Sequence, residues 1–153
     1  MLIRQATQKD LGSIATIENS VSSPWTKSQI AAELDYAKAA VLAAVSEQTG
    51  MVTGWCCLRF NAPEAELLKI AVSPDHKRKG VGTLLLKEAL KTTFSAGCEE
   101  LFLEVRSKNL SARTFYRQFG FHELGTRKSY YVNPVDDAVL YRRKLVPGLS
   151  ENF

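Results

Sequence analysis

Glu66-Leu67-Leu68-Lys69-Ile70-Ala71-Val72, Ser73-Pro74-Asp75-His76-Lys77-Arg78-Lys79 and Gly80-Val81-Gly82-Thr83-Leu84-Leu85 follow one another without a break. The first run has the composition of a strand, the second is a polar loop with a proline, and the third opens a helix over 80–95. In that helix Val81, Leu84, Leu85, Ala89 and Phe94 are predicted to share the apolar side, with Lys87, Glu88, Lys91 and Thr92 facing out. The two glycines let backbone come close to a ligand. The unpaired N–H groups of the first helical turn, with the helix dipole behind them, then point at that ligand. Lys77, Arg78 and Lys79 add positive charge, so the turn suits a diphosphate. A Walker loop would need G-x-x-x-x-G-K-[ST], and a dinucleotide fingerprint would need a third Gly or Ala where Leu85 stands. Spacing alone leaves a second reading open, a solvated basic turn capped by glycines.

Upstream, Leu2 to Ala6 reads as a strand and Thr7-x-x-Asp10 as a capping box leading a stripe of Leu11, Ile14, Ile17 and Val21. Ser22-Ser23-Pro24-Trp25 breaks that helix, and Thr26-x-x-Gln29 caps a second one with Ile30 and Leu34 inward. Strands follow over 40–45 and 52–60, joined by a turn ending at Gly50, and Asn61-Ala62-Pro63 turns the chain into the strand ending at Val72. Downstream, Gly97 stops the helix, 101–105 is a strand, and Asn109 N-caps a helix ending at Gly120. Strands from Phe121 to about Lys128 and from Ala138 to Leu145 close the chain around a polar loop. The pattern predicts a single α/β domain over 1–146, a mixed sheet of about seven strands with about four helices on both faces, and a loose tail over 147–153.

A chain of 153 residues with 45% hydrophobic and 24% charged residues can bury a core and is not of disordered type. It has no apolar run of membrane-span length and no signal-peptide pattern at Met1-Leu2-Ile3-Arg4, so no membrane partner is expected. Cys56, Cys57 and Cys98 are odd in number, and two are adjacent. They fit neither a disulfide framework nor metal-ligand spacing, which points to a reduced, cytoplasmic setting and no metal. A net charge of +4 permits an anionic ligand but does not argue for direct nucleic-acid binding.

Leu101-Phe102-Leu103-Glu104-Val105 alternates, so Glu104 lies on the face opposite Leu101, Leu103 and Val105. If both faces of this central strand are covered, Glu104 is partly desolvated. It is then either paired, to a neighbouring strand or to Arg106, or a base whose raised pKa lets it accept a proton near neutral pH. On the next helix Ala112, Phe115, Tyr116 and Phe119 form a predicted buried stripe with Phe115 and Phe119 as core. Tyr116 carries a hydroxyl that needs a partner, in the ordinary case a backbone carbonyl. His76 reads as a loop residue and His122 as strand surface. Trp25 read alone is more often core than a substrate wall. Tyr130 and Tyr131 stand side by side in a polar loop, where both cannot pack inward.

Taken in order, Leu68-Lys69-Ile70-Ala71-Val72-Ser73-Pro74, Arg78-Lys79-Gly80-Val81-Gly82, Leu103-Glu104-Val105-Arg106, Asn109 and Phe115-Tyr116-Arg117-Gln118-Phe119-Gly120-Phe121 resemble the GNAT acetyltransferase superfamily. The likeness runs from Leu2 to about Leu145. Within the superfamily, Leu-Glu-Val-Arg, Ser23-Pro24-Trp25 and Arg127-Lys128-Ser129-Tyr130-Tyr131 with Asp137-Ala138 are similar to the RimI type, which acetylates the N-terminal alanine of a ribosomal protein. Archaeal and eukaryotic protein N-terminal acetyltransferases share much of this tail pattern. The resemblance implies a splayed sheet holding acetyl-CoA, with Ile70, Ala71 and Val72 along the pantetheine arm. Arg78, Lys79, Gly80, Val81, Gly82 and Thr83 would cradle the pyrophosphate, and Asn109 would touch the cofactor. Glu104 matches the general base and Tyr116 the general acid, while Trp25, Tyr130 and Tyr131 fall where the peptide is recognised. The family usually carries Gln or Arg where this chain has Lys77, which keeps the charge but loses the bidentate fork. Two other readings stay open. One is a small-amine acceptor such as a polyamine, aminoglycoside or amino acid. The other is a CoA-binding module without turnover, which would need neither Glu104 nor Tyr116.

Overall fold

The computed structural model describes residues 1–145, so the expected loose tail lies outside the described residues. Thr7 caps as its spacing requires, its hydroxyl accepting from Lys9 N while Asp10 reaches back to Thr7 N at 2.8 Å. That box opens a 3-10 turn, Gln8–Asp10, leading into α1 (Leu11–Glu18). Thr26 and Gln29 make the second reciprocal box, at 2.8 and 3.2 Å, ahead of α2 (Lys27–Asp35). The strands are β1 (Leu2–Gln5), β2 (Ala39–Val45), β3 (Val52–Asn61), β4 (Glu64–Val72), β5 (Glu100–Arg106), β6 (His122–Tyr131) and β7 (Asp136–Lys144). The remaining helices are α3 (Val81–Ser95) and α4 (Leu110–Gln118), with Gly97 and Gly120 taking the positive φ that ends each.

The strands form one sheet in the order β1-β2-β3-β4-β5-β7-β6, antiparallel except between β4 and β5. Period-2 alternation splits β3 between two cores. Cys56 and Leu58 pack with α3, Tyr116, Leu101 and Leu103, whereas Trp55 and Cys57 pack with Ile14, Ile17 and Ile30 of α1 and α2. The mixed seven-stranded sheet with four helices on both faces is thus present as read from sequence.

Three details differ from the sequence reading. Along α3 the buried line is Val81, Leu85, Leu86, Ala89, Leu90 and Thr93, and Leu84 is 40% exposed. The helix is rolled because it meets β3 at Gly54, where a Cβ would lie 3.0 Å from Val81 Cγ1 and 3.1 Å from both Ala71 O and Leu85 Cδ1. On α4 only Tyr116 is buried, and Phe115 and Phe119 are partly exposed, since the helix lies near a cleft rather than under a second layer. Tyr130 and Tyr131 end β6 instead of lying in a loop, because Tyr131 pairs with Asp136 and extends the β6–β7 ladder past its bulge.

The β4–β5 ladder determines where a ligand can enter. It runs from Glu64↔Glu100 to Leu67↔Leu103 and stops. Beyond it, β4 pairs only with β3 and β5 only with β7. At the parting the β3–β4 register skips Leu68, an extra residue that bends and twists its strand. The two central strands therefore fork.

Candidate active site

The fork opens a cleft of about 920 Å³. One wall is the edge of β4 over 68–72, which has lost its β5 neighbour, so every other backbone N–H and C=O there has no ladder partner. Ile70, Ala71 and Val72 lie on it; Ala71 packs towards α1 and α2, while Ile70 and Val72 pack towards α3.

At one end of the cleft the chain turns through a 3-10 turn, Pro74–His76, into α3. Arg78 takes φ 62 and Gly80 φ 83, so two left-handed residues set this loop, and an arginine there is a strained choice. Gly80 is the N-cap and supplies no side chain, which leaves the first-turn N–H groups of a 15-residue helix without a side-chain cap. A Cβ at Gly82 would sit 3.8 Å from Phe115 Cζ and from Val72 Cγ2, ordinary contact distances. Packing within the protein therefore does not require glycine there. Arg78, Gly80, Val81, Gly82, Thr83 and Asn109 line the cleft together with Lys77; Lys79 is exposed and lies outside the lining. Asn109 Oδ1 is engaged in capping α4, accepting from Ala112 N at 3.2 Å. Its amide nitrogen is the group it can offer a ligand. His76, read from sequence as a loop residue, is partly buried on the cleft wall, with Nδ1 buried and meeting no hydrogen-bond partner among the described residues.

Glu104 and Tyr116 meet the cleft from opposite sides of β5. Tyr116 packs with Leu101, Leu103 and Val105, edge-on to Phe115 and Phe121. Its ring is buried, yet its hydroxyl makes no hydrogen bond among the described residues, not even to a backbone carbonyl. Burial pushes the phenol upward, with Cys56 and Tyr131 adding to the effect, so it stays protonated through neutral pH. Glu104 is not under a helix as expected. Its face of β5 floors a smaller adjoining cavity of about 380 Å³ with Arg59, Asn61, Glu66, Phe102 and Arg127. Its side chain is 18% exposed and pairs at 3.6 Å with Arg127 of β6, two strands away across β7, rather than with Arg106. The charge of Glu104 raises the phenol of Tyr130; burial and then Glu104 push that of Tyr131 up to about 12. Burial and Glu104 likewise raise the carboxyl of Glu66.

The opposite end of the cleft is aromatic. Trp25 lines it and also packs at 5.7 Å, edge to face, on Trp55, so core and wall are the same residue. Tyr130 and Tyr131 stand nearly perpendicular, centroids 5.1 Å apart. Sequence reasoning missed what holds Trp25. Glu18, fully buried, accepts from Trp25 N at 2.9 Å and Trp55 Nε1 at 3.2 Å and pairs with Lys69 Nζ at 3.2 Å. The signal was present: Glu18 falls four residues after Ile14, on the buried stripe of α1. Among the described residues no group of three His, Cys, Asp or Glu could hold a metal, and no helix is long and apolar enough to cross a membrane.

Residues 9–121 match the acetyltransferase (GNAT) family. The chain belongs to that family. This GNAT chain is 30% identical over 142 residues, 90% of its length and 91% of the other's, to a Bacillus subtilis (strain 168) protein provisionally named [ribosomal protein bS18]-alanine N-acetyltransferase. It is 36% identical over 84 residues, 55% of its length and 57% of the other's, to the [ribosomal protein bS18]-alanine N-acetyltransferase of Escherichia coli (strain K12). The crystal structure of the ribosomal-protein-S18-alanine N-acetyltransferase from Escherichia coli superposes with a TM-score of 0.87 at 26% identity, covering 96% of both chains. The family resemblance read from the ordered motifs is borne out, and so is the reading of an N-acetyltransferase.

Proposed function

We propose that this GNAT enzyme transfers an acetyl group from acetyl-CoA directly to the α-amine of a protein N-terminus, the N-terminal alanine of a ribosomal protein. The observation that carries this is the fork itself. A free strand edge runs from the uncapped start of α3 to the point where Glu104 and Tyr116 meet the cleft, and an aromatic mouth lies beyond. The relatives' names supply the acceptor.

Acetyl-CoA brings the activated thioester; the protein supplies position and proton traffic. The diphosphate suits the uncapped N–H groups of α3, with Arg78 beside them. The pantetheine arm, an amide chain, suits the unpaired edge of β4. An α-ammonium group has a pKa near ~8 and attacks only after losing a proton, which Glu104 takes directly or through water. Tyr116, kept protonated by burial, donates to the departing sulfur from the other side of β5.

The test is acetyl-CoA turnover against peptides beginning with Ala, Ser and Met beside small amines, with the acetyl group located by mass spectrometry. Transfer to the α-amine of the alanine peptide is expected. Transfer only to lysine side chains or to small amines would overturn this acceptor while leaving the family untouched.

A further inference from the structure

Arg106 ends β5 on the same face as Glu104 but pairs with no carboxylate among the described residues. Nη1 donates to Pro134 O at 2.8 Å, and Nη2 donates to Ser23 Oγ at 2.8 Å and Val132 O at 3.3 Å. The guanidinium also lies 4.5 Å from the Tyr131 ring centroid. One side chain thereby joins two segments far apart in sequence: the α1–α2 connection that carries Trp25, and the β6–β7 turn that follows Tyr130 and Tyr131. Ser23 is gripped from both arms of the fork, since Lys69 of β4 donates to its carbonyl at 2.6 Å.

We infer that Arg106 is a positioning residue that clasps the two sides of the acceptor mouth together, setting the gap between Trp25 and Tyr131 before the acceptor arrives. The inference rests on the acceptor reading above for its kinetic consequence, but not for the clasp. Only a planar fork with several fixed donors can bond three oxygens on two segments while stacking on a ring; an ammonium group cannot reproduce that geometry. Without it the two segments order separately, and that entropy is lost when the acceptor binds. The cost falls on acceptor affinity rather than on the coenzyme wall, which is built by β4 and α3.

The experiment compares the full chain with Arg106→Gln, Arg106→Lys, Ser23→Ala and the Ser23→Ala/Arg106→Gln pair by amide hydrogen exchange, calorimetry with acetyl-CoA and peptide kinetics. In Arg106→Gln, exchange should quicken together in 20–25 and 129–135. The acceptor KM should rise about tenfold while acetyl-CoA affinity stays within about twofold. Arg106→Lys should resemble Gln. Ser23→Ala should show a smaller rise, and the pair should be no worse than Arg106→Gln alone, because both changes cut one linkage. Faster exchange in one segment only, additive effects, full rescue by lysine, or a loss confined to acetyl-CoA binding would each overturn the clasp. If the parent acetylates no peptide, the acceptor reading fails, and the paired exchange of the two segments still decides the clasp.

Discussion

Glu104 and Tyr116 stand on opposite faces of one strand, and the fork lets both reach the same space. Under the proposed roles this arrangement would separate proton removal on the acceptor side from proton donation on the sulfur side, so substitution should separate them too. Glu104→Gln is expected to lower turnover roughly 10²–10⁴-fold at neutral pH, with the deficit shrinking at high pH where free amine is already abundant. A folded Glu104→Gln protein with near-normal turnover at neutral pH would exclude the base role. Tyr116→Phe keeps the ring and its packing, so acetyl-CoA affinity should persist while turnover falls, which places the loss in the transition state. Because burial raises the Tyr116 phenol, its deprotonation should not curtail activity anywhere below pH ~10, its ordinary value. An alkaline limb near neutral pH that vanishes in Tyr116→Phe would contradict this.

Among the elements, Gly54, which packs against α3, and Gly82, within its first turn, do different jobs. Gly54→Ala pushes a methyl against Val81, Leu85 and a backbone carbonyl at about 3 Å, and overpacking of this kind costs about 1–3 kcal/mol. Gly82→Ala meets only ordinary contacts and should leave the melting temperature unchanged. Gly82→Val should abolish acetyl-CoA binding without unfolding the protein, and unchanged calorimetric affinity would remove the cradle assignment. The entry to α1 provides a pH-dependent test. Arg4 makes a two-pronged pair with Asp10 at 2.8 and 2.9 Å, and with Thr7 N it holds that buried carboxyl below the usual range. A depressed folded-state pKa contributes stability above the unfolded value of ~3.9 and loses it as pH falls through the folded value. Asp10→Asn should therefore destabilise by about 1–3 kcal/mol at neutral pH. That difference should fade in acid melts as the parent loses its own carboxylate.

For the whole molecule, the proposed coenzyme site would link binding to folding, because the cleft exists only where β4 and β5 have parted within an intact sheet. Acetyl-CoA at about a hundred times its Kd should add about 2.7 kcal/mol of stability, read as a rise in melting temperature that Gly82→Val abolishes. A parent protein whose melting temperature ignores acetyl-CoA would argue against the cleft as its site.

The sequence by itself determined the elements, because capping boxes, periodicities and turn glycines act within a few residues. Thr7, Thr26, Gly97 and the alternation of β5 are each legible from neighbours along the chain. It also determined the family, because the glycine turn, the Leu103–Arg106 strand and the Phe115–Phe121 segment keep their order. Only the tertiary structure decided how those elements face one another. The bulge at Leu68 sends Leu68 and Lys69 to the same side, which brings the lysine to Glu18 and Ser23, where unbroken alternation would have pointed it at α3. Likewise Arg127 reaches Glu104 from two strands away, and Arg106, two residues along the strand from Glu104, binds two segments distant in sequence instead. Such partners are set by sheet order and by the parting of β4 from β5, which no local pattern encodes.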